Sequence, residues 1–173
     1  MQIHFEGRAR VFGDDVNTDY IISSTRKKES LDPHVLKQFL FEGLDPSFAV
    51  SVQPGEILAA GRNFGCGSAM EIAVLVLLAA GLKVVLAQSF ARTFYRNAIN
   101  NGLVPVECDT AGVKQGDRLI VKLTEGSVSA VNETAGEKLI CNPFPAIMLE
   151  ILEKGGLVPY FRIHHDFSEP HSA

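Results

Sequence analysis

The sequence predicts a mixed α/β fold with a parallel β-sheet at its centre. Three short apolar runs, at residues 57–60, 83–87 and 103–106, alternate with two longer segments of helical character. Strands and helices in this order and at these lengths are typical of parallel strands joined by right-handed crossovers. After residue 107 the pattern changes to short runs separated by turn residues, which predicts further strands and one more helix.

The N-terminal region is predicted to hold one strand and one helix. Residues 3–12 alternate between apolar and polar side chains, as expected of a strand. Residues 23–30, SSTRKKES, are polar and basic without an apolar period, so we predict a mobile surface loop. A helix is expected to open at Asp32 or Pro33 and to continue to about residue 42.

The two central helices carry start and stop signals. Ser68 is predicted to cap the first helix, and Gly81 to end it. Ser89 is predicted to cap the second helix, which Gly102 closes. These boundaries complete the order strand, helix, strand, helix, strand.

The C-terminal region is predicted to add strands at residues 118–122, 127–131 and 137–141, followed by a helix at residues 145–154. Gly155 and Gly156 are expected to end that helix. The polar residues from about His164 onward are expected to form a flexible tail. Residues 1–173 are together expected to form a single domain, since this length is enough for one hydrophobic core.

The composition is that of a globular protein and argues against several classes of function. Hydrophobic residues make up 46% and charged residues 21%, and a net charge of −4 without a basic stripe argues against nucleic-acid binding. The longest apolar run, residues 72–82, is too short to span a bilayer. The first residues lack the apolar core of a signal peptide. We therefore expect a cytoplasmic protein that binds neither nucleic acid nor a membrane.

The cysteines match no known metal-ligand pattern. Cys66, Cys108 and Cys141 are 42 and 33 residues apart, unlike the short CxxC spacings of metal and iron–sulfur sites. We expect three reduced and mostly buried thiols, and no metal bound by this chain. Only Cys66 lies in an unusual loop.

That loop, with the sequence GRNFGCGSAME at residues 61–71, is the strongest candidate site. Ser68 followed by Glu71 ahead of an apolar run is a capping-box signature. The geometry places a hydroxyl and unpaired N–H groups at the positive end of a helix dipole, which suits binding of a carboxylate or phosphate. The alternative is a helix that is merely well capped, but the three glycines of the loop favour a site.

Four motifs, in this order along nearly the whole chain, resemble the small subunits of the isopropylmalate isomerase and homoaconitase group. They are GDDVNTDYII, GRNFGCGSAME, QSFARTFYRNAINNGLVPV and GGLVPYF. In the aconitase superfamily this subunit corresponds to the swivel domain. The combination is far more specific than a lone glycine motif.

The resemblance implies a fold, a reaction and a partner. The fold is a swivelling β/β/α barrel-like domain. The reaction is the isomerisation of a hydroxy di- or tricarboxylic acid by removal and re-addition of water, in leucine biosynthesis. The partner is a large subunit that carries a 4Fe–4S cluster. This chain would bind no cofactor itself and would be inactive alone, and a homo-oligomer of the isolated chain is left open.

The resemblance also assigns roles within the glycine loop. Ser68 would be the catalytic base, acting as an alkoxide, and the Gly67 and Ala69 N–H groups would bind a substrate carboxylate. The family pattern is Gly-Ser-Ser-Arg-Glu-His, whereas this chain has Ala69 and Met70 in place of the second serine and the arginine. Methionine cannot replace a bidentate ionic contact. Either the substrate differs, or another cation substitutes, or activity is lost.

A substitute cation is expected in the segment 23–28, which in the family contributes to substrate choice. Three consecutive cations occur there, and Lys28 falls where the family arginine is expected. We expect Arg26 or Lys28 to reach the cleft. The alternative is a solvated basic loop.

Five further residues are expected to support the site. Thr18 and Asp19 match a Thr-Asp pair that lies beside the active site in the family, and Asp19 would orient a cation or histidine of the partner. The alternative is a simple turn. Asn63 is expected to organise the glycine loop, which Cys66 and Glu71 also support.

Two other functions stay open. One is a paralogous dehydratase of the homoaconitase type or one acting on a methyl- or dimethylmalate, because Ala69 and Met70 make a less charged pocket. The other is a non-catalytic binding module that keeps the fold. A phosphate-binding module is less favoured, since the loop lacks the Gly-Lys-Ser/Thr of a P-loop.

Overall fold

The computed structural model describes residues 2–164, which form a curled β-sheet flanked by helices. The strand order is β4-β3-β2-β1-β5-β6-β7, with β1 to β4 parallel and β5 to β7 antiparallel to their neighbours. The strands are β1 Gln2–Val11, β2 Ile57–Ala60, β3 Val84–Ala87, β4 Val104–Glu107, β5 Arg118–Thr124, β6 Ser127–Asn132 and β7 Glu137–Leu139. The helices are α1 Thr18–Ile21, α2 Ser24–Lys27, α3 Pro33–Leu36, α4 Phe48–Ser51, α5 Glu71–Ala79, α6 Arg92–Asn101, α7 Ala146–Glu153 and α8 Leu157–His164.

The parallel half of the sheet is covered on both faces, which explains its continuous apolar runs. Every residue of β2 and β3 is buried. Leu58 and Ala60 belong to one hydrophobic cluster, while Ile57 and Ala59 belong to a second cluster on the opposite face. The predicted α/β class with parallel strands is confirmed.

The two edges of the sheet meet, which makes the fold barrel-like. Just beyond β4 and β7, Cys108 and Cys141 form an antiparallel bridge. The Asp109 N–H donates to the Ile140 carbonyl at 2.9 Å, and the Asn142 N–H donates to the Glu107 carbonyl at 2.8 Å. The expectation of a barrel-like architecture is therefore confirmed.

Both central helices begin later than the sequence predicts. Met70, in an extended conformation, precedes α5, and Ala91 precedes α6. Ser89 does not cap α6, because its hydroxyl accepts a hydrogen bond from the Asn63 N–H at 2.9 Å and so holds the glycine loop instead. The predicted ends are confirmed: Gly81 and Gly102 adopt the left-handed conformation, with φ of +83° and +82°.

Residues 23–30, which the sequence predicts to be a mobile surface loop, contain the short helix α2. Ser23 caps this helix, and its hydroxyl accepts a hydrogen bond from the Thr25 N–H at 3.2 Å. Arg26 holds the turn in place through a two-pronged contact with Glu42, at 3.0 and 2.9 Å. A cap and a bidentate ion pair therefore order a stretch that has no apolar period.

The helix predicted from residue 32 starts as expected and ends early. Asp32 caps α3 by accepting the His34 N–H at 2.9 Å, with Pro33 as the first helical residue. The chain then tightens into a 3₁₀ turn at Lys37–Phe39. Phe41, at a φ of +55°, next turns into the core, where its ring stacks on that of Phe12 with centroids 4.3 Å apart. The free energy gained by burying the Phe41 ring outweighs that of continuing the helix.

The C-terminal helix α8 is a segment that sequence reasoning missed. Pro159 lies in its first turn, where no N–H partner is needed, and Tyr160 packs fully buried. The tail predicted from about residue 164 lies, beyond His164 itself, outside the described residues. No helix within residues 2–164 is both long enough and apolar enough to cross a membrane.

Candidate functional site

The glycine loop lies where three parallel strands end, the edge at which open α/β sheets place their binding sites. It continues β2 alongside the segment that continues β1. The Asp15 N–H donates to the Arg62 carbonyl, the Gly65 N–H to the Val16 carbonyl and the Thr18 N–H to the Cys66 carbonyl, each at 2.8 Å. Parallel pairing therefore extends beyond the strands and fixes one side of the loop.

The other side of the loop is fixed by the segment that follows β3. The Phe64 N–H donates to the Ser89 carbonyl at 3.0 Å, and the Ala91 N–H donates to the Phe64 carbonyl at 2.9 Å. Asn63, at a φ of +58°, donates its side-chain amide to Asp15 at 2.8 Å. The backbone of the loop is thus held from both flanks.

Two glycines of the loop adopt conformations that side chains resist. Gly65 and Gly67 have φ of +79° and +89°. A Cβ at Gly65 would overlap the ring of Phe94, and a Cβ at Gly67 would overlap the side-chain amide of Asn17. Both positive φ and close approach therefore require glycine at these positions.

Ser68 is exposed at the end of this loop, and the predicted capping box is absent. Its carbonyl accepts the Thr18 hydroxyl at 2.9 Å, and the helix begins only at Glu71. The Glu71 carboxylate accepts the Asn101 amide at 3.0 Å and does not reach back to the Ser68 N–H. The capping prediction is wrong because Ala69 and Met70 separate Ser68 from the helix. Met70, in an extended conformation, takes the cap position.

The Ser68 hydroxyl and the backbone N–H groups around it are unpaired in the part of the chain that the structure describes. Within residues 2–164, neither the Ser68 hydroxyl nor the backbone N–H groups of residues 67–70 hydrogen-bond to another residue. The first turn of α5 follows directly; its Ala73 N–H donates to the Met70 carbonyl at 3.2 Å, while the Glu71 and Ile72 N–H groups precede the helical hydrogen-bond ladder. A hydroxyl and a row of N–H donors are thus available to an anion, with Gly67 and Ala69 in the row as the sequence predicts.

Lys27 is the cation that lies over this loop, and sequence reasoning missed it. Its Nζ lies 2.6 Å from the Met70 Sδ. The hydroxyl and N–H of Ser24 both donate to the Asp19 carboxylate and lower its pKa, and the nearby charge of Lys27 lowers it further. Only one of three consecutive cations on a helical turn can face a given neighbour, since successive side chains point in different directions.

The two cations that the sequence singles out lie differently. Arg26 is committed to Glu42 and Glu29, which raise its pKa, and its guanidinium stacks over the Phe39 ring at 4.0 Å from the centroid. Lys28 is exposed. The structure therefore places Lys27, rather than Arg26, against the glycine loop.

Cys66 shows no sign of an activated nucleophile. The thiol is half-buried, and burial raises its pKa, with a smaller contribution from the charge of Asp15. A raised pKa keeps the sulfur protonated, and a thiol is a poor nucleophile. Among residues 2–164 there is also no group of three or more His, Cys, Asp or Glu side chains that could hold a metal ion.

Comparisons with known proteins agree on one family. Residues 36–111 match the aconitase C-terminal domain family. The chain is 46% identical over 164 residues to the isopropylmalate/citramalate isomerase small subunit of Methanocaldococcus jannaschii, covering 94% of this chain and 96% of the relative. It is 47% identical over 157 residues to the 3-isopropylmalate dehydratase small subunit of Moorella thermoacetica, covering 90% and 93%.

A solved structure supports the same fold. The crystal structure of a 3-isopropylmalate dehydratase chain from Methanocaldococcus jannaschii superimposes with a TM-score of 0.86 at 40% sequence identity. The match covers 94% of this chain and 96% of that one.

Proposed function

The chain belongs to the family of 3-isopropylmalate dehydratase small subunits, and on this basis we propose that it serves a two-subunit hydro-lyase of leucine biosynthesis. The assembled enzyme would isomerise isopropylmalate by removing water and adding it back so that the hydroxyl moves to the neighbouring carbon. The observation that carries the proposal is the exposed Ser68 hydroxyl, with the unpaired N–H groups of residues 67–70 beside it. A site that lies on an open surface needs a second subunit to enclose it.

The proposed partner is the large subunit, which would hold a 4Fe–4S cluster as the Lewis acid for the leaving hydroxide. The residues of this chain do not fit such a cluster, since no group of three ligand side chains occurs within residues 2–164. The contribution proposed for this chain is proton transfer and carboxylate binding.

In the proposed mechanism Ser68 removes the proton from the carbon next to the hydroxyl-bearing one, and returns it during rehydration. A serine oxygen can act as a base only where its negative charge is stabilised. The N–H groups of residues 67–70, the start of α5 and the charge of Lys27 all favour that anion. Because these groups are held in place before the substrate binds, little reorganisation is needed during the reaction.

Lys27 would take the place of the missing family arginine. Its ammonium contacts Met70, the residue that replaces that arginine. A lysine presents a point charge rather than a bidentate fork, so it binds one carboxylate with looser geometry. This suits the dicarboxylic isopropylmalate.

Citramalate, a methyl-substituted malate, is a second candidate substrate. The relative from Methanocaldococcus jannaschii carries that compound in its name. Lys27 supplies one positive charge and Met70 an uncharged thioether. This part of the site therefore does not require a third carboxylate on the substrate.

The test is co-expression with the large subunit, followed by assays of the purified complex under anaerobic conditions. We expect the chain to co-purify with that subunit, to be inactive alone, and to convert 3-isopropylmalate when complexed. Turnover of citramalate but not isopropylmalate would identify the second candidate. A complex that turns over neither compound would indicate a non-catalytic module.

The Lys27→Gln substitution is expected to lower kcat/KM for isopropylmalate by about 10–100-fold, mostly through a higher KM. The reason is the loss of one charge-assisted contact to a substrate carboxylate, worth about 1.5–3 kcal/mol. Steady-state kinetics of the complex provide the measurement. Lys122→Gln on β5, an exposed lysine on another part of the sheet, is the matched control and should change kcat/KM less than twofold.

The corresponding Lys28→Gln variant separates two interpretations of the basic segment. If Lys28→Gln causes the larger loss and Lys27→Gln little, then Lys28 binds the carboxylate as the family resemblance implies. Lys27 would in that case only pack on Met70.

A further inference from the structure

Two of the cysteines lie opposite each other where the edges of the sheet meet. The Asp109 N–H bonds to the Ile140 carbonyl and the Asn142 N–H to the Glu107 carbonyl, so Cys108 and Cys141 form a non-hydrogen-bonded antiparallel pair. In such pairs the Cα atoms are about 4.5 Å apart and the side chains lie on the same face. That separation falls within the range that disulfides span.

Both cysteine side chains pack in the same hydrophobic cluster of the barrel. The neighbouring Cys141 raises the pKa of Cys108, and the neighbouring Cys108 lowers the pKa of Cys141. Burial raises the pKa of Cys108 further. Cys141 is therefore the better nucleophile of the pair, and the buried Cys108 is placed to attack it in a second step.

The two thiols differ in their access to solvent. Cys108 is buried, whereas Cys141 is half-buried. An open cavity of about 410 Å³ lies beside the bridge and is lined by Cys108 together with Gln88, Glu107, Asp109, Ile140 and Asn142. Cys141 is therefore the member of the pair that a small oxidant meets first.

We propose that Cys108 and Cys141 form a reversible dithiol–disulfide site that fastens the two edges of the barrel to each other. This site goes beyond the proposed function, and none of its residues belongs to the glycine loop. Hydrogen peroxide is the oxidant. The Cys141 thiolate attacks one peroxide oxygen and the O–O bond breaks, which gives a sulfenic acid and a hydroxide ion; the proton that the thiol gave up converts the hydroxide to water.

The Cys108 sulfur then attacks the sulfenic sulfur, which forms the S–S bond and releases a second water molecule. Two thiols and one peroxide give one disulfide and two waters, so the step balances. Reduction by a small dithiol restores both thiols by exchange.

The test treats the purified subunit with hydrogen peroxide and maps its disulfides by mass spectrometry, before and after dithiothreitol. We expect one disulfide that joins Cys108 to Cys141, formed reversibly, and a Tm about 5–10 °C higher in the oxidised form, because the bridge closes a loop of about 33 residues. Cys66→Ser should keep both results. Cys141→Ser should lose both, and Cys141→Ala guards against an effect of the new hydroxyl.

Three outcomes would overturn the proposal. One is a disulfide that involves Cys66, another is oxidation of Cys141 to sulfinic acid without a bridge, and the third is a bridge that leaves Tm within about 1 °C of the reduced form.

Discussion

Replacing Ser68 with alanine is expected to lower kcat of the assembled complex by about 10²–10⁴-fold, the range that a positioned acid–base group contributes. KM should change little, because the N–H groups of residues 67–70 and the Lys27 ammonium remain to bind carboxylates. The removed interaction matters chiefly in the transition state, where a proton is in transfer. Steady-state assays of the complex in both reaction directions provide the measurement.

We expect the Ser68→Ala variant to fold normally, so that a change in its kinetics can be attributed to the chemical step. Ser68 is exposed, and within the described part of the chain its hydroxyl has no hydrogen-bond partner. We therefore expect Tm within about 1 °C of the parent and unchanged association with the large subunit. Ser129→Ala, an exposed serine on β6, is the matched control. A dehydration rate that survives Ser68→Ala would rule out the serine as the base.

Replacing Gly65 with alanine is expected to destabilise the chain by about 2–4 kcal/mol and to abolish activity. A left-handed conformation costs a non-glycine residue about 1–2 kcal/mol, and overpacking adds about 1–3 kcal/mol. Here the new methyl group would overlap the Phe94 ring. The loop cannot simply move away, because the Gly65 N–H is bonded to the Val16 carbonyl at 2.8 Å. Urea unfolding followed by circular dichroism measures the loss.

The Gly116→Ala variant measures the conformational cost separately from the steric overlap. Gly116 has nearly the same φ, +83°, but an added Cβ would have no atom within 4 Å. It should therefore show the conformational cost of about 1–2 kcal/mol without the overlap. Equal destabilisation by both substitutions would mean that Phe94 yields to the methyl group and that the loop is less constrained than we infer.

The parallel half of the fold was predictable because its strands are buried on both faces. β2 and β3 are fully buried, so they appear as uninterrupted apolar runs, and glycines mark the helix ends at Gly81 and Gly102. α2 was not predictable in this way. It depends on a contact between Arg26 and Glu42, which lie 16 positions apart in the sequence. The spacing of apolar residues does not reveal such a contact.

The candidate site was predicted in composition but not in geometry. The Ser68–Glu71 spacing indicates a capping box, yet Met70 takes the cap position and Glu71 pairs with Asn101 of another helix. Likewise, three consecutive cations give no sign of which one faces the loop until the direction of α2 is known. Contacts between residues distant in sequence determine both where the helix starts and which cation faces the loop. Such contacts also bring Cys108 and Cys141 together.

The anchoring of the glycine loop on both flanks has an evolutionary consequence. Under the proposed function, proton transfer and selectivity would reside on separate segments: the glycine loop carries the Ser68 hydroxyl, whereas the short helix α2, held by the Arg26–Glu42 contact, carries Lys27. Mutations in α2 would then change which acid is accepted and leave the proposed base in place. Gene duplicates of such a scaffold would be free to diverge toward new substrates one side chain at a time.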